Sequence, residues 1–201
     1  MHNFYARYTA GMTELQVSSL RLDSRALQVL AHPLRSRLLT ALRMDGPATA
    51  TVLAARLGTN TGATSYHLRK LASVGLVEET GEGHGKERPW QAATEMHEFT
   101  ERDVVDDPEG RAATDWLRRH YLRAFIDRYE TWLDEQTGWP LDWQDAAGAS
   151  DWAIRVSPTT LAAFNAEFAA LVERYRPGAG EPDEQTVQVH LHAFPLPQEP
   201  R

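Results

Sequence analysis

Asn60-Thr61-Gly62-Ala63-Thr64-Ser65-Tyr66-His67-Leu68-Arg69-Lys70-Leu71, with Val74-Gly75-Leu76-Val77 close behind, sets the order of elements in this chain. Asn60 or Thr61 suits an N-cap, because a short side-chain oxygen can accept from a free amide of the first turn. Thr64, Leu68 and Leu71 recur at spacings of four and three, so they share one face of a helix. Burying that face leaves Thr61, Gly62, Ser65, Tyr66 and Arg69 on the other side. Hydroxyls that donate and accept, a phenol ring, an arginine and a glycine that admits close backbone approach are suited to the edges of bases and to phosphates.

The flanks complete a pattern. Upstream, Asp23 and Ser24 can cap a helix over 25–31, which His32-Pro33 interrupts. Pro33 then suits the first turn of a helix over 33–44, with Leu34, Leu38, Leu39 and Leu42 on one face. Asp45-Gly46-Pro47 reads as a turn. Thr49 or Thr51 opens a short helix with Val52, Leu53 and Leu57 inward, and Gly58 closes it. Downstream, 76–80 and 86–92 read as strands joined by the tip Gly81-Glu82-Gly83-His84-Gly85. Three helices and a hairpin in this order predict a winged helix-turn-helix over residues 24–93, preceded by an N-terminal arm over 1–23. His84, Lys86 and Arg88 then lie along the wing, where they can follow a phosphate backbone or a minor groove.

Residues 26–93 resemble the ArsR-type winged helix-turn-helix regulators. The matching stretches are Leu27-Gln28-Val29-Leu30-Ala31-His32-Pro33-Leu34-Arg35, Leu53-Ala54-Ala55-Arg56-Leu57-Gly58, and Ser65-Tyr66-His67-Leu68-Arg69-Lys70-Leu71 with Val74-Gly75-Leu76-Val77. The resemblance implies a homodimer on a pseudo-palindromic operator in double-stranded DNA. It implies that Asn60, Thr61, Gly62, Ser65, Tyr66, His67, Arg69 and Lys70 face the DNA. Arg35 is expected near a phosphate or in a structural ion pair. Members of that family that sense metals use cysteine pairs or Asp/His sets; this chain has no cysteine, so no metal or other cofactor is expected.

Charge is divided along the chain. The whole carries 21 Lys+Arg against 28 Asp+Glu, yet residues 20–93 hold 10 basic against 6 acidic side chains. A basic module joined to an acidic one fits nucleic acid binding by the first part only.

The remainder reads as an acidic linker over 94–110, then a long helix over 111–136. Leu117, Tyr121, Phe125, Tyr129 and Trp132 form an apolar stripe along that helix, and it is the candidate dimerisation element. Alternation in 152–156 and 186–194 predicts two strands around a helix begun by Ser157-Pro158. The fold class expected is therefore α+β: a winged helix-turn-helix, a long dimerisation helix and a small α/β C-terminal region. Trp116, Trp132, Trp139, Trp143 and Trp152 suit a dimer core or the wall of a small-molecule effector site. His190 and His192 share a strand face and read as solvent-facing polar residues.

Other classes have little support. No apolar run is long enough for a membrane span, and residues 1–22 lack a signal-peptide core, so a cytoplasmic protein is expected. No phosphate-binding glycine loop or nucleophile elbow is present, and the carboxylates of 94–110 read as solvated, so no enzyme is expected. The alternatives are a winged-helix protein-interaction module and a small-molecule-binding protein acting through the C-terminal half.

Overall fold

The computed structural model describes residues 19–82, 88–176 and 180–196, in two compact units, 19–149 and 150–196. The first unit begins with β1 (Ser19–Arg21). Four helices follow: α1 (Ser24–Leu30), α2 (Pro33–Asp45), α3 (Ala50–Arg56) and α4 (Thr61–Ala72). Each start has a side-chain cap. The Ala26 amide donates to Asp23, the Leu34 amide to His32 Nδ1, the Val52 amide to Thr49 and the Ala63 amide to Asn60. Such caps satisfy amides that no helical carbonyl can reach.

The hairpin consists of β2 (Val77–Glu79) and β3 (Trp90–Ala92), antiparallel, with Val77 opposite Ala92 and Glu79 opposite Trp90. An isolated bridge between Ala48 and Trp90 adds a third rung ahead of α3. The wing is thereby fastened to the helices on both sides of the turn.

Residues 94–110 do more than connect. They contain β4 (Met96–Glu98), which runs parallel to β1, a 3-10 turn over Glu101–Asp103, and Val104, which is buried. Their carboxylates are used locally: Asp103 pairs with Arg21 at 2.5 Å, and Glu101 pairs with Arg118. The long helix α5 (Pro108–Glu135) starts three residues earlier than the periodicity predicts, because Asp107 caps it by accepting from the amides of Glu109 and Gly110. A short helix, α6 (Leu141–Ala146), occupies part of the expected loop that follows.

The core of this unit is a set of leucines drawn from every helix of the module, including Leu27, Leu30, Leu38, Leu53, Leu68 and Leu76, closed by Leu117 of α5. The start of α5 lies against α1. A Cβ added to Gly110 would stand 2.8 Å from Ser24 Oγ and 2.9 Å from Val104 Cγ1, so only glycine permits that approach. In α3 the inward pair is Leu53 and Ala54; Val52 is exposed, against the expected phase.

The second unit holds α7 (Pro158–Tyr175), capped by Ser157 with Pro158 in its first turn, as the sequence predicts. The two predicted strands differ from expectation. Among the described residues neither 152–156 nor 186–194 forms a ladder, and their alternating apolar side chains, Trp152 and Ile154, Val187 and Val189, remain exposed. Alternation makes a strand stable only when one face is buried.

Candidate nucleic-acid interface

The turn between α3 and α4 contains Gly58 at φ 65, a backbone conformation that favours glycine. It turns the chain so that α4 projects from the module. The buried stripe of α4 is Thr64, Leu68 and Leu71, as the spacing predicts. That burial leaves Thr61, Gly62, Tyr66, Arg69 and Lys70 exposed and Ser65 half-buried. Asn60 uses its side-chain oxygen to accept from the Ala63 amide at 2.8 Å, which leaves its NH2 group and one oxygen lone pair for a ligand. Gly62 protects that cap: a Cβ there would crowd Asn60 Oδ1 at 3.3 Å. The Lys70 ammonium lies 5.8 Å from the centre of the Tyr66 ring, within cation–π range.

His67 sits differently from its exposed neighbours on α4. It is half-buried, its ring lies 4.5 Å from that of His32, and its Nδ1 is buried without a hydrogen-bond partner. The ring also meets Tyr66 edge-on at 5.1 Å. Burial, then His32 and then Arg35 lower the His67 pKa; burial and then Arg35 lower that of His32. Arg35 makes no structural ion pair among the described residues; its Nε donates to the Val29 carbonyl. Burial lowers its pKa, yet a guanidinium stays charged. The residue that sequence reasoning missed is His32. The position just before a first-turn proline is an N-cap position, and that signal was legible.

On the wing, Arg88 pairs with Glu79 across the hairpin at 3.0 Å, and Gln91 donates to Glu78 at 2.9 Å. His84 and Lys86 lie outside the described residues. Behind the module, Arg56 pairs with Asp45 at 2.7 Å, and Arg37 donates to the Leu57 carbonyl.

The stripe expected on α5 divides in two. Leu117 has no exposed area and belongs to the core of its own chain, so it has nothing to offer a second chain. Tyr121 is half-buried, with its hydroxyl 3.4 Å from His97 Nε2, and burial pushes its pKa up to about 12. Phe125 and Tyr129 are half-buried and stacked, 6.0 Å apart, and Trp132 sits 5.6 Å from Trp139. The residues that stand out from this helix are Leu122, Ile126 and Leu133, each more than two-fifths exposed.

A cavity of about 250 Å³ lies beside β1 and the start of α1, lined by Leu20, Arg21, Asp23, Arg25, Ala26, Ser73 and Val74. None of the tryptophans expected to wall an effector site contributes to it. Among the described residues no three His, Asp or Glu side chains converge as metal ligands. His120 stacks on Trp116 at 4.7 Å, and the His190 and His192 rings lie 6.0 Å apart. No helix among the described residues is long and apolar enough to cross a membrane.

The capped helices α1 to α4, a glycine turn and a bridged hairpin make this a winged helix-turn-helix domain. Residues 30–80 match the family model of a helix-turn-helix domain. None of the curated proteins compared matches the chain significantly. Similar solved structures include a homodimeric winged helix-turn-helix DNA-binding domain from Mycobacterium bovis, described as a possible ArsR-family transcriptional regulator. It is 22% identical, covers 54% of this chain and 81% of its own, and has a TM-score of 0.33. Another is described as a possible transcriptional regulator for arsenical resistance: it is 31% identical, covers 64% of this chain and 99% of its own, and has a TM-score of 0.30. The protein RV1404 from Mycobacterium tuberculosis is 16% identical, covering 79% and 84%, with a TM-score of 0.29.

Proposed function

We propose that the chain is a sequence-specific DNA-binding transcriptional regulator of the ArsR type, a homodimeric repressor in the cytoplasm. The observation that carries this reading is the outward set of α4. Its buried stripe leaves Thr61, Tyr66, Arg69 and Lys70 exposed around a half-buried Ser65, with no carboxylate of α4 among them. Arg69 can bind a guanine edge through two hydrogen bonds, Ser65 and Thr61 can meet bases or phosphates, and Lys70 neutralises a phosphate. Two such helices about one turn of DNA apart read a pseudo-palindrome.

The dimer contact we assign to α5. Leu122, Ile126, Tyr129 and Leu133 follow one another at steps of four, three and four, the spacing of a helix–helix seam. The same helix carries Arg111, Arg118, Arg119 and Arg123 against Glu109 and Asp115 in its first part, and Asp127, Glu130, Asp134 and Glu135 against Arg128 in its last. That polarity favours an antiparallel second copy, which sets each basic half beside an acidic one. A small-molecule effector would act by binding the operator-competent dimer and its alternative with different affinity, typically by ~1–3 kcal/mol.

Selection of DNA from a random library at a stated salt concentration tests the reading. Enrichment of a two-fold related motif, bound by the full chain with salt-dependent affinity, is the expected result. Recovery of no motif, or affinity independent of salt, rejects it.

A further inference from the structure

A continuous stack of side chains runs behind the reading face of α4. The His32 ring caps α2 through Nδ1, which accepts from the Leu34 amide at 3.1 Å. The His67 ring lies on it at 4.5 Å. Tyr66 meets His67 edge-on at 5.1 Å, and Lys70 stands over Tyr66. Arg35, in the first turn of α2, is tethered by its Nε to the Val29 carbonyl near the end of α1, and its charge acts on both imidazoles.

We propose that His67 is a positioning residue rather than a DNA contact: through its ring on His32 it fixes where Tyr66 and Arg35 stand when α4 meets DNA. This inference rests on the DNA-binding reading above. Two features favour a supporting role for the ring over a reading one. Its Nδ1 is enclosed by protein, and its face is occupied by another ring. What the ring supplies is a flat support between the N-terminus of α2 and the exposed side of α4, and a flat apolar ring can supply the same.

The geometry makes the two imidazoles one unit, so their effects on binding should not add. The charged and titratable groups around that unit are Arg35 on α2 and Tyr66 and Lys70 on α4. With Arg35 so near, protonating either ring sets two cations side by side. Protonation of His32 also turns the capping nitrogen from acceptor to donor and releases the Leu34 amide.

The test is a double-mutant cycle on the full chain, with an operator selected by the wild type. His67→Ala removes one ring. His67→Phe keeps a ring without nitrogens. His32→Asn keeps the cap of α2, since asparagine is a strong N-cap, but deletes the other ring. Melting temperature and circular dichroism establish that each variant is folded.

We expect His67→Ala to weaken operator binding about tenfold without changing the preferred base at any position, and His67→Phe to stay within about threefold of wild type. His32→Asn should cost as much as His67→Ala, and the double variant little more than either. Losses that multiply, or a His67→Phe variant as weak as His67→Ala, overturn the proposal in favour of independent roles or a direct nitrogen contact. An altered base preference in His67→Ala overturns it in favour of base reading. A wild type that selects no operator fails the DNA-binding reading itself, and the positioning role falls with it.

Discussion

Nη1 of Arg43 on α2 lies 2.7 Å from Nδ1 of His97 on β4. A guanidinium can only donate, so that imidazole nitrogen is unprotonated and the proton of the neutral ring sits on Nε2, facing the Tyr121 hydroxyl. A second Arg43 nitrogen, Nε, donates to the Thr94 carbonyl at 3.1 Å. This half-buried network ties α2 to β4 and α5 without a carboxylate.

Burial, followed by the Arg43 charge, lowers the His97 pKa to about 4. The unfolded chain binds a proton on this ring near pH 6.5, so between 6.5 and 4 it holds more protons than the folded chain. Stability is therefore full above about pH 6.5 and is lost as pH falls through that window. The loss reaches on the order of 2 kcal/mol by pH 5. Urea unfolding of the wild type and of His97→Gln, whose amide oxygen can still accept from Arg43, measures it. The variant should lose less stability between pH 7 and 5, and equal losses would show that His97 is not the group responsible.

Arg69→Ala should weaken operator binding by about 1–3 kcal/mol and relax the preference at one base pair, while the melting temperature stays within a few degrees of wild type. Ser65→Ala should cost less, since Ser65 is already half-covered. Fluorescence anisotropy with selected and scrambled DNA separates the two effects. Unchanged affinity in both variants removes α4 from the interface.

Ile126→Glu should break the dimer and leave the monomer folded, because Ile126 is exposed on its own chain. Leu117→Glu should instead unfold the first unit, because that side chain has no route to solvent. Sedimentation velocity and thermal melts distinguish these outcomes. A dimer that survives Ile126→Glu rejects the seam proposed on α5.

Gly110→Ala should destabilise by about 1–3 kcal/mol. The added methyl must displace Ser24, Asp107 or Val104, and α1 and α5 must separate at their closest point. A variant as stable as wild type in urea would show that this approach can relax at no cost.

Much of the module was legible in the sequence, and the reasons are local. The Thr64, Leu68 and Leu71 stripe, the caps at Asp23, Asn60 and Ser157, and the glycine after α3 each follow from a few neighbouring residues. The contact between the His32 and His67 rings and the tether of Arg35 were not legible, because a histidine on a polar helix face becomes a packing residue only when another element brings a ring against it. Leu117 misled for a related reason. Helical spacing shows that Leu117 and Tyr129 share a stripe, but not that α1 covers one end and leaves the other open. The stretch 94–110 read as a linker because a parallel pair such as β1 and β4 joins residues nearly eighty positions apart, and short strands leave little periodicity to find.

The pairing of β1 with β4 has a practical consequence for anyone dividing this chain. Residues 30–80 are the part that the helix-turn-helix family model matches, yet they leave out strand partners and buried side chains that pack against them. A piece begun at residue 24 leaves the edge of β4 open, and one ended at residue 93 removes Val104 and Leu117 from the leucine core. The shortest stretch that keeps both its strand partners and its buried side chains starts no later than residue 19 and continues past the first turns of α5. The stretch that the family model spans and the stretch that keeps its packing partners are, for this molecule, two different lengths of chain.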